Sequence, residues 1–253
     1  MRENPSMHSQ KTRPPRLYAD TPLAEGLRLE LPESAAHHAA RVLRLEEGDA
    51  VVLFDGRGGE YPARLSLPGR GRVVAELGVH HAIERESPLA VTLVQAVSSG
   101  EKMDFTIQKA VELGVAAIQP LLSAKSVVRL SAEREEKKLA RWRRVAIAAC
   151  EQCGRNRVPE VREALSVEAY CGAPGDASLR LLLSPEGKAG LKEQKIERAV
   201  SIAAGPEAGF SDVEEQILQR AGFVAVRLGQ RILRTETAAL AALAALNALA
   251  GDY

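Results

Sequence analysis

From Leu89 onward the apolar residues fall into two kinds of block that alternate along the chain. Leu89–Val97 is a nearly continuous apolar run, the pattern of a strand buried on both faces. Lys102–Leu113 follows as a helix, with Phe105, Ile107, Ala110 and Val111 broadly on one side and Gly114 placed to end it. Ala116–Leu121 predicts a second strand. Ser131–Cys153 predicts a long charged helix with Leu139, Trp142, Val145 and Ala149 on one stripe. Leu179–Leu183 and Ala199–Ala204 predict further strands, Ser211–Ala221 a helix, Phe223–Val226 a strand and Thr235–Ala250 a last helix. Strands alternating with helices predict a parallel sheet covered on both faces.

The pattern ahead of this is different. Leu27–Leu31, Ala50–Phe54, Tyr61–Leu67 and Arg72–Leu77 are short strand-like runs separated by the turn signals Asp55–Gly59 and Pro68–Gly71. A single short helix is expected at Ser34–Leu43, with Ser34 as its N-cap. Strands at this spacing suggest a small β-barrel. The polar stretch His80–Pro88 reads as a linker, which gives two domains, 1–80 and 81–253.

Composition narrows the partners. With 34 basic and 33 acidic residues the net charge is +1, so any nucleic-acid contact must come from local groups of basic residues. Aromatics make up only 4%, too few for a base-stacking platform. No apolar run of about 18 residues is present and the N-terminus lacks a hydrophobic core segment, so neither a membrane span nor a signal peptide is expected. Three cysteines do not make a disulfide framework, and the simplest compartment is the cytoplasm. Cys150 and Cys153 form a C-x-x-C late in a long helix. They lack the second ligand pair that zinc requires, and the motif is not placed as in a redox protein. The pairs His37-His38 and His80-His81 put adjacent side chains on different faces and do not suit chelation.

In a parallel sheet, ligands collect at the loops leaving the C-terminal strand ends. Three loops have that position: Leu183–Gly187, Gly205–Phe210 and Leu228–Arg234. The second is neither a dinucleotide fingerprint nor a P-loop. Ser211 and Glu214 form a capping box that starts the next helix. In the third loop, Arg231 and Arg234 share a face across Ile232 and Leu233. The spacing fits equally a surface turn salt-bridged to Glu236 and an apolar wall for a flat ligand.

The segments GPEAGFS (205–211) and LGQRILRTETAALAAL (228–243) resemble those of the RsmE family. These are 16S ribosomal RNA uridine-N3 methyltransferases of the SPOUT, or α/β-knot, superfamily. KAVELGV (109–115), EQCGRNRVPEV (151–161) and HHAARVLRLEEGDAVVLFDGRGGEYPA (37–63) agree in order along nearly the whole chain. One departure is Ala208, where the family usually has glycine; alanine fits if its φ is negative.

The resemblance implies a PUA-like β-barrel followed by an α/β trefoil-knot methyltransferase domain with a parallel sheet. It also implies S-adenosyl-L-methionine held by Leu183, Ser184, Pro185, Ala204, Gly205, Glu207, Leu228, Gly229, Ile232 and Leu233. The implied assembly is a homodimer, and Leu240, Leu243, Leu246 and Leu249 suit a helix packed on two sides, as they suit a helix buried within one subunit. The implied substrate is 16S ribosomal RNA or the small subunit. Arg231 or Arg155 is expected to stabilise charge on the base, and Glu207 to accept its proton, hold a loop or hold the ribose. The basic residues expected to touch RNA are Arg13, Arg16, Arg41, Arg44 and Arg57 in the first domain, with Lys102, Lys109, Arg129, Arg155 and Arg157 in the second. The competing readings are another SPOUT enzyme acting on ribose 2′-OH or tRNA, and a non-catalytic RNA-binding assembly factor. A nucleotide-dependent dehydrogenase is disfavoured because no glycine-rich turn follows Leu89–Val97.

Overall fold

The computed structural model describes residues 13–69, 71–126, 132–173 and 177–253; Arg129 and the expected helix start at Ser131 lie outside them. The chain divides into two compact units, Met1–Glu84 and Arg85–Tyr253.

The first unit contains β1 (Arg16–Tyr18), β2 (Arg28–Glu30), α1 (Glu33–His37), β3 (Ala50–Phe54), β4 (Tyr61–Gly69) and β5 (Arg72–Leu77). They form a five-stranded sheet in the order β1-β3-β4-β5-β2, antiparallel except where β1 runs parallel to β3. Alternation decides the faces: in β5, Val73, Ala75 and Leu77 are buried while Arg72 and Glu76 are exposed. The inward set joins Leu17, Leu53, Leu65 and the alanines of α1 in one core. The strand β1 is three residues behind two prolines, too short for periodicity to reveal.

The helix in this unit departs from expectation. It begins at Glu33 after Pro32, whose ring presets φ, so Ser34 lies inside the first turn and does not cap it. After His37 the backbone widens into a π-helical turn, His38–Val42, with Leu43 N–H bonded to the His38 carbonyl at 2.9 Å. Arg44 then takes φ 54°, a left-handed conformation rare for a side-chain-bearing residue.

The second unit contains β6 (Ala90–Ala96), α2 (Gly100–Glu112), β7 (Ala117–Leu122), α3 (Ala132–Cys153), β8 (Glu160–Val161), β9 (Leu165–Ser166), α4 (Val167–Gly172), β10 (Leu179–Leu183), β11 (Ala189–Gly190), β12 (Ala199–Ala204), α5 (Asp212–Arg220), β13 (Val224–Arg227) and α6 (Thr235–Ala250). Its sheet is parallel in the order β11-β13-β10-β12-β6-β7-β8, with β9 also on β7. The two latest strands are inserted between earlier ones: β12 lies between β10 and β6, and β13 between β10 and β11.

Val94, Ala96, Leu182 and Ala203 pack on one side with Val167 of α4 and Leu218 of α5. The alternate residues of β6 and β12 face α6. Leu243 and Leu246 of α6 are buried, whereas Leu249 is about half exposed. Gly114 ends α2 at φ 81°. Buried Asn247 ties α6 to this corner, accepting from Ser87 Oγ and donating to the Leu113 carbonyl, both at 2.7 Å.

Cys150 and Cys153 form no disulfide, and among the described residues no group of three or more His, Cys, Asp and Glu side chains is placed to hold a metal. No described helix is long and apolar enough to cross a membrane.

Candidate functional site

The strands β10, β12 and β13 are neighbours whose ends are level, with Leu183 opposite Ala204 on one side and Val226 on the other. The three loops that follow them therefore emerge side by side and wall one cleft. Leu183, Ser184, Pro185, Ala204, Gly205, Glu207, Leu228, Ile232 and Leu233 all line it. Of the expected ligand-binding residues only Gly229 does not; its φ of 76° instead makes the turn that brings Arg231 and Ile232 to the rim.

Each loop is held by backbone geometry and a few polar side chains. In the first, Ser184 N–H bonds the Val226 carbonyl, and a Cβ on Gly187 would lie 2.5 Å from the Val226 carbonyl carbon. The loop is thus pressed on β13 where only glycine fits. In the second, a Cβ on Gly205 would sit 2.9 Å from Phe210 N. Gly209 closes the turn at φ 70°, and Ala208 keeps a negative φ, so the alanine is accommodated without strain.

Glu207 clamps the second loop to the start of α2, accepting from Lys102 Nζ at 3.1 Å and from Ser99 N–H and Oγ at 3.4 Å. Burial pushes its pKa up. The hydrogen bonds of its own backbone N–H, Lys102 and the Ser99 backbone, together with the Lys102 charge, outweigh this and hold the carboxyl below its ordinary value.

The capping box at Ser211 and Glu214 is present, and Glu214 does more than close it. Its buried carboxylate also accepts from Ser123 Oγ at 3.1 Å and Ala124 N–H at 2.7 Å, while Lys125 donates to the Phe210 carbonyl. The loop after β7 is thereby fastened to the cleft.

In the third loop, Arg231 is exposed at the cleft and Arg234 sits at the N-cap of α6. Among the described residues neither pairs with Glu236, which removes the salt-bridged-turn reading. Ile232 is 85% exposed at the rim.

Other expected site residues lie elsewhere. Arg155 is 4% exposed and away from the cleft. Its guanidinium engages the Glu86 carboxylate with two nitrogens and donates to the Val111 and Val115 carbonyls at 3.0 and 2.9 Å, capping the C-terminal end of α2. The structure thus commits the Arg155 guanidinium to the fold around α2 and does not bring it to the cleft with Arg231. Arg16 is similarly committed, bonded to Glu60 at 2.6 Å and stacked 4.8 Å from the Phe54 ring centroid. Lys102 is engaged by Glu207 and Lys109 by Glu112. Arg13, Arg41, Arg44 and Arg57 are exposed on the first unit, and Arg157 on the second.

Pro206 and Gly209 of the second loop also line the cleft, as do Val226, Arg227, Thr235 and Ala238, which lie outside the three loops expected to do so. Thr235 had a legible signal, a hydroxyl residue opening a helix directly after the third loop.

A cleft at the C-terminal ends of parallel strands, walled by three loops over an apolar floor, defines the ligand-binding half of an α/β enzyme domain. An RNA methyltransferase domain model matches residues 85–247, and an RNA methyltransferase PUA domain model matches residues 31–78. Ribosomal RNA small subunit methyltransferase E of Buchnera aphidicola subsp. Schizaphis graminum is 34% identical, over 96% of this chain and 99% of its own. The crystal structure of the Neisseria gonorrhoeae ribosomal RNA small subunit methyltransferase E bound to S-adenosyl methionine superposes with TM-score 0.88 at 41% identity, covering 95% of this chain and 99% of that one. A Legionella pneumophila methyltransferase structure with the cofactor SAM reaches TM-score 0.93 at 37% identity, covering 96% and 100%. The chain belongs to the ribosomal RNA small subunit methyltransferase E family, with the α/β fold of its structural neighbours.

Proposed function

We propose that this chain methylates N3 of a uridine in the 16S RNA of the small ribosomal subunit, using S-adenosyl-L-methionine. The observation that carries this is the convergence of three loops on one cleft. Its apolar wall of Leu183, Leu228, Ile232 and Leu233 suits a purine ring, and Gly205, with no side chain to strike Phe210 and Gly209 across the turn, lets the second loop fold tightly beside it. The residues present therefore suit the cofactor found in the Neisseria and Legionella structures.

When bound, S-adenosylmethionine supplies an electrophilic methyl group; the protein positions and tunes. In this reading Arg231 stabilises negative charge on a uracil carbonyl oxygen as N3 loses its proton, which its exposure in the cleft lining supports. Glu207 is poorly suited as the base, because a carboxyl held below its ordinary pKa is a weak proton acceptor. Its role here is to clamp the Gly205–Phe210 loop. RNA is held by the exposed Arg13, Arg41, Arg44, Arg57 and Arg157. The reading includes a homodimer and a cytoplasmic protein, as expected of an enzyme that acts on ribosomal RNA.

The test is methyl transfer from labelled S-adenosylmethionine to small-subunit RNA. Arg231→Ala should lower kcat by about 100-fold with the cofactor Kd nearly unchanged. Glu207→Gln should raise that Kd with a smaller effect on kcat. Wild-type turnover in Arg231→Ala would remove the assignment.

A further inference from the structure

The strand β6 is apolar except at Thr92 and Gln95. Gln95 is 1% exposed in the middle of the sheet, hydrogen-bonded neighbour to β12 with Ala204 beside it in register. A buried amide is costly unless its groups are bonded, so its partners carry information. Its Nε2 donates to the Ala96 carbonyl at 3.0 Å and to Thr235 Oγ1 at 2.9 Å, while its Oε1 is buried without a partner among the described residues, so the amide is held by its nitrogen alone. The Ala96 carbonyl can only accept, which fixes which end of the amide is nitrogen. Thr235 Oγ1 in turn donates to the Gly205 carbonyl at 2.5 Å. The hydrogen bonds therefore run in one direction, from the Gln95 amide through the Thr235 hydroxyl to the Gly205 carbonyl. Bonds in such a chain polarise and strengthen one another.

The relay joins strand β6 to two elements more than a hundred residues further along the chain, the first turn of α6 and the first residue of the second cleft loop, which are themselves 30 residues apart. Gly205 is followed by Pro206, which has no N–H to anchor the peptide between them, so the Gly205 carbonyl is the handle by which that peptide plane is set. The far end of the loop is fixed separately, by Glu207 on α2 and Glu214 at α5.

We infer that Gln95 is a positioning residue for the methyl donor: acting through Thr235, it sets the Gly205–Pro206 peptide and so the shape of the cleft. Gln95 itself lies outside the cleft lining. This rests on the methyltransferase reading above, and the two fail differently.

Calorimetric titration of the full-length chain with S-adenosylmethionine, with KM values from methyl transfer to small-subunit RNA, tests it. Gln95→Met keeps the shape and removes the donor. It should raise the Kd for S-adenosylmethionine by about tenfold, the size of one lost hydrogen bond, while the KM for RNA stays within about twofold. Thr235→Val should do the same and Thr235→Ser should restore the wild-type Kd. The double variant Gln95→Met with Thr235→Val should be no weaker than the worse single variant, because both cut one relay. Should Gln95→Met prove unstable, the Val and Ser variants at Thr235 read the same relay from its middle. A wild-type Kd in folded Gln95→Met, additive losses in the double variant, or a Thr235→Ser as weak as Thr235→Val would each overturn the inference and leave the methyltransferase reading standing. No binding by the wild-type chain would instead refute the methyltransferase reading.

Discussion

Two arginines illustrate how the site divides residue by residue. Arg231 and Arg155 both lie in segments that resemble the family, and the sequence offered no ground for separating them. Their surroundings do. Arg231 is exposed at the cleft, while Arg155 is buried and bonded to Glu86 and two backbone carbonyls. Removing one partner of a buried, multiply bonded ion pair leaves the other charge stranded. Arg155→Ala should therefore lower unfolding free energy by about 3 kcal/mol in denaturant titrations, with the cofactor Kd of the folded protein unchanged. A selective loss of cofactor binding at full stability would contradict this. Arg16 was obscured in the same way, since an arginine stacked on Phe54 and paired with Glu60 reads in sequence like any surface base. Burial and long-range partners are what a single residue's identity does not carry.

At the scale of elements, local chemistry was legible wherever it was self-contained. The capping box at Ser211, the stop at Gly114 and the strands Leu179–Leu183 and Ala199–Ala204 follow from neighbouring residues alone. The π-helical turn at His38–Val42 and the two-residue strands β8, β9 and β11 do not, because tertiary packing decides them. Glu214 spans both cases, being a cap by its spacing and a clamp on the loop after β7 by its fold. Burial raises its pKa. Hydrogen bonds from the Ser211 and Ala124 backbone and from the Ser211 and Ser123 hydroxyls outweigh this, and the carboxyl stays below its ordinary value of 4.5. A group with a depressed folded pKa stabilises above its unfolded pKa and loses that contribution as pH falls through the folded value. Glu214→Gln should thus cost about 2 kcal/mol at neutral pH. The gap from wild type should narrow as pH drops below 4.5, measured by chemical unfolding across pH. A gap independent of pH would show that the carboxylate charge is not what holds the loop.

For the whole molecule, alternating strands and helices made a parallel sheet legible, and short runs between turn signals made a separate β unit legible. The insertion of β12 and β13 between earlier strands was not, since strand order is a property of long-range pairing that no local pattern encodes. That insertion is what sets three loops, distant in sequence, around one cleft. The most direct test of the central claim is nucleoside mass spectrometry of small-subunit ribosomal RNA from cells with and without the gene. One N3-methyluridine should disappear in the deletion and return with the wild-type gene but not with Arg231→Ala. An unchanged modification map, or loss of a ribose methylation instead, would contradict that claim.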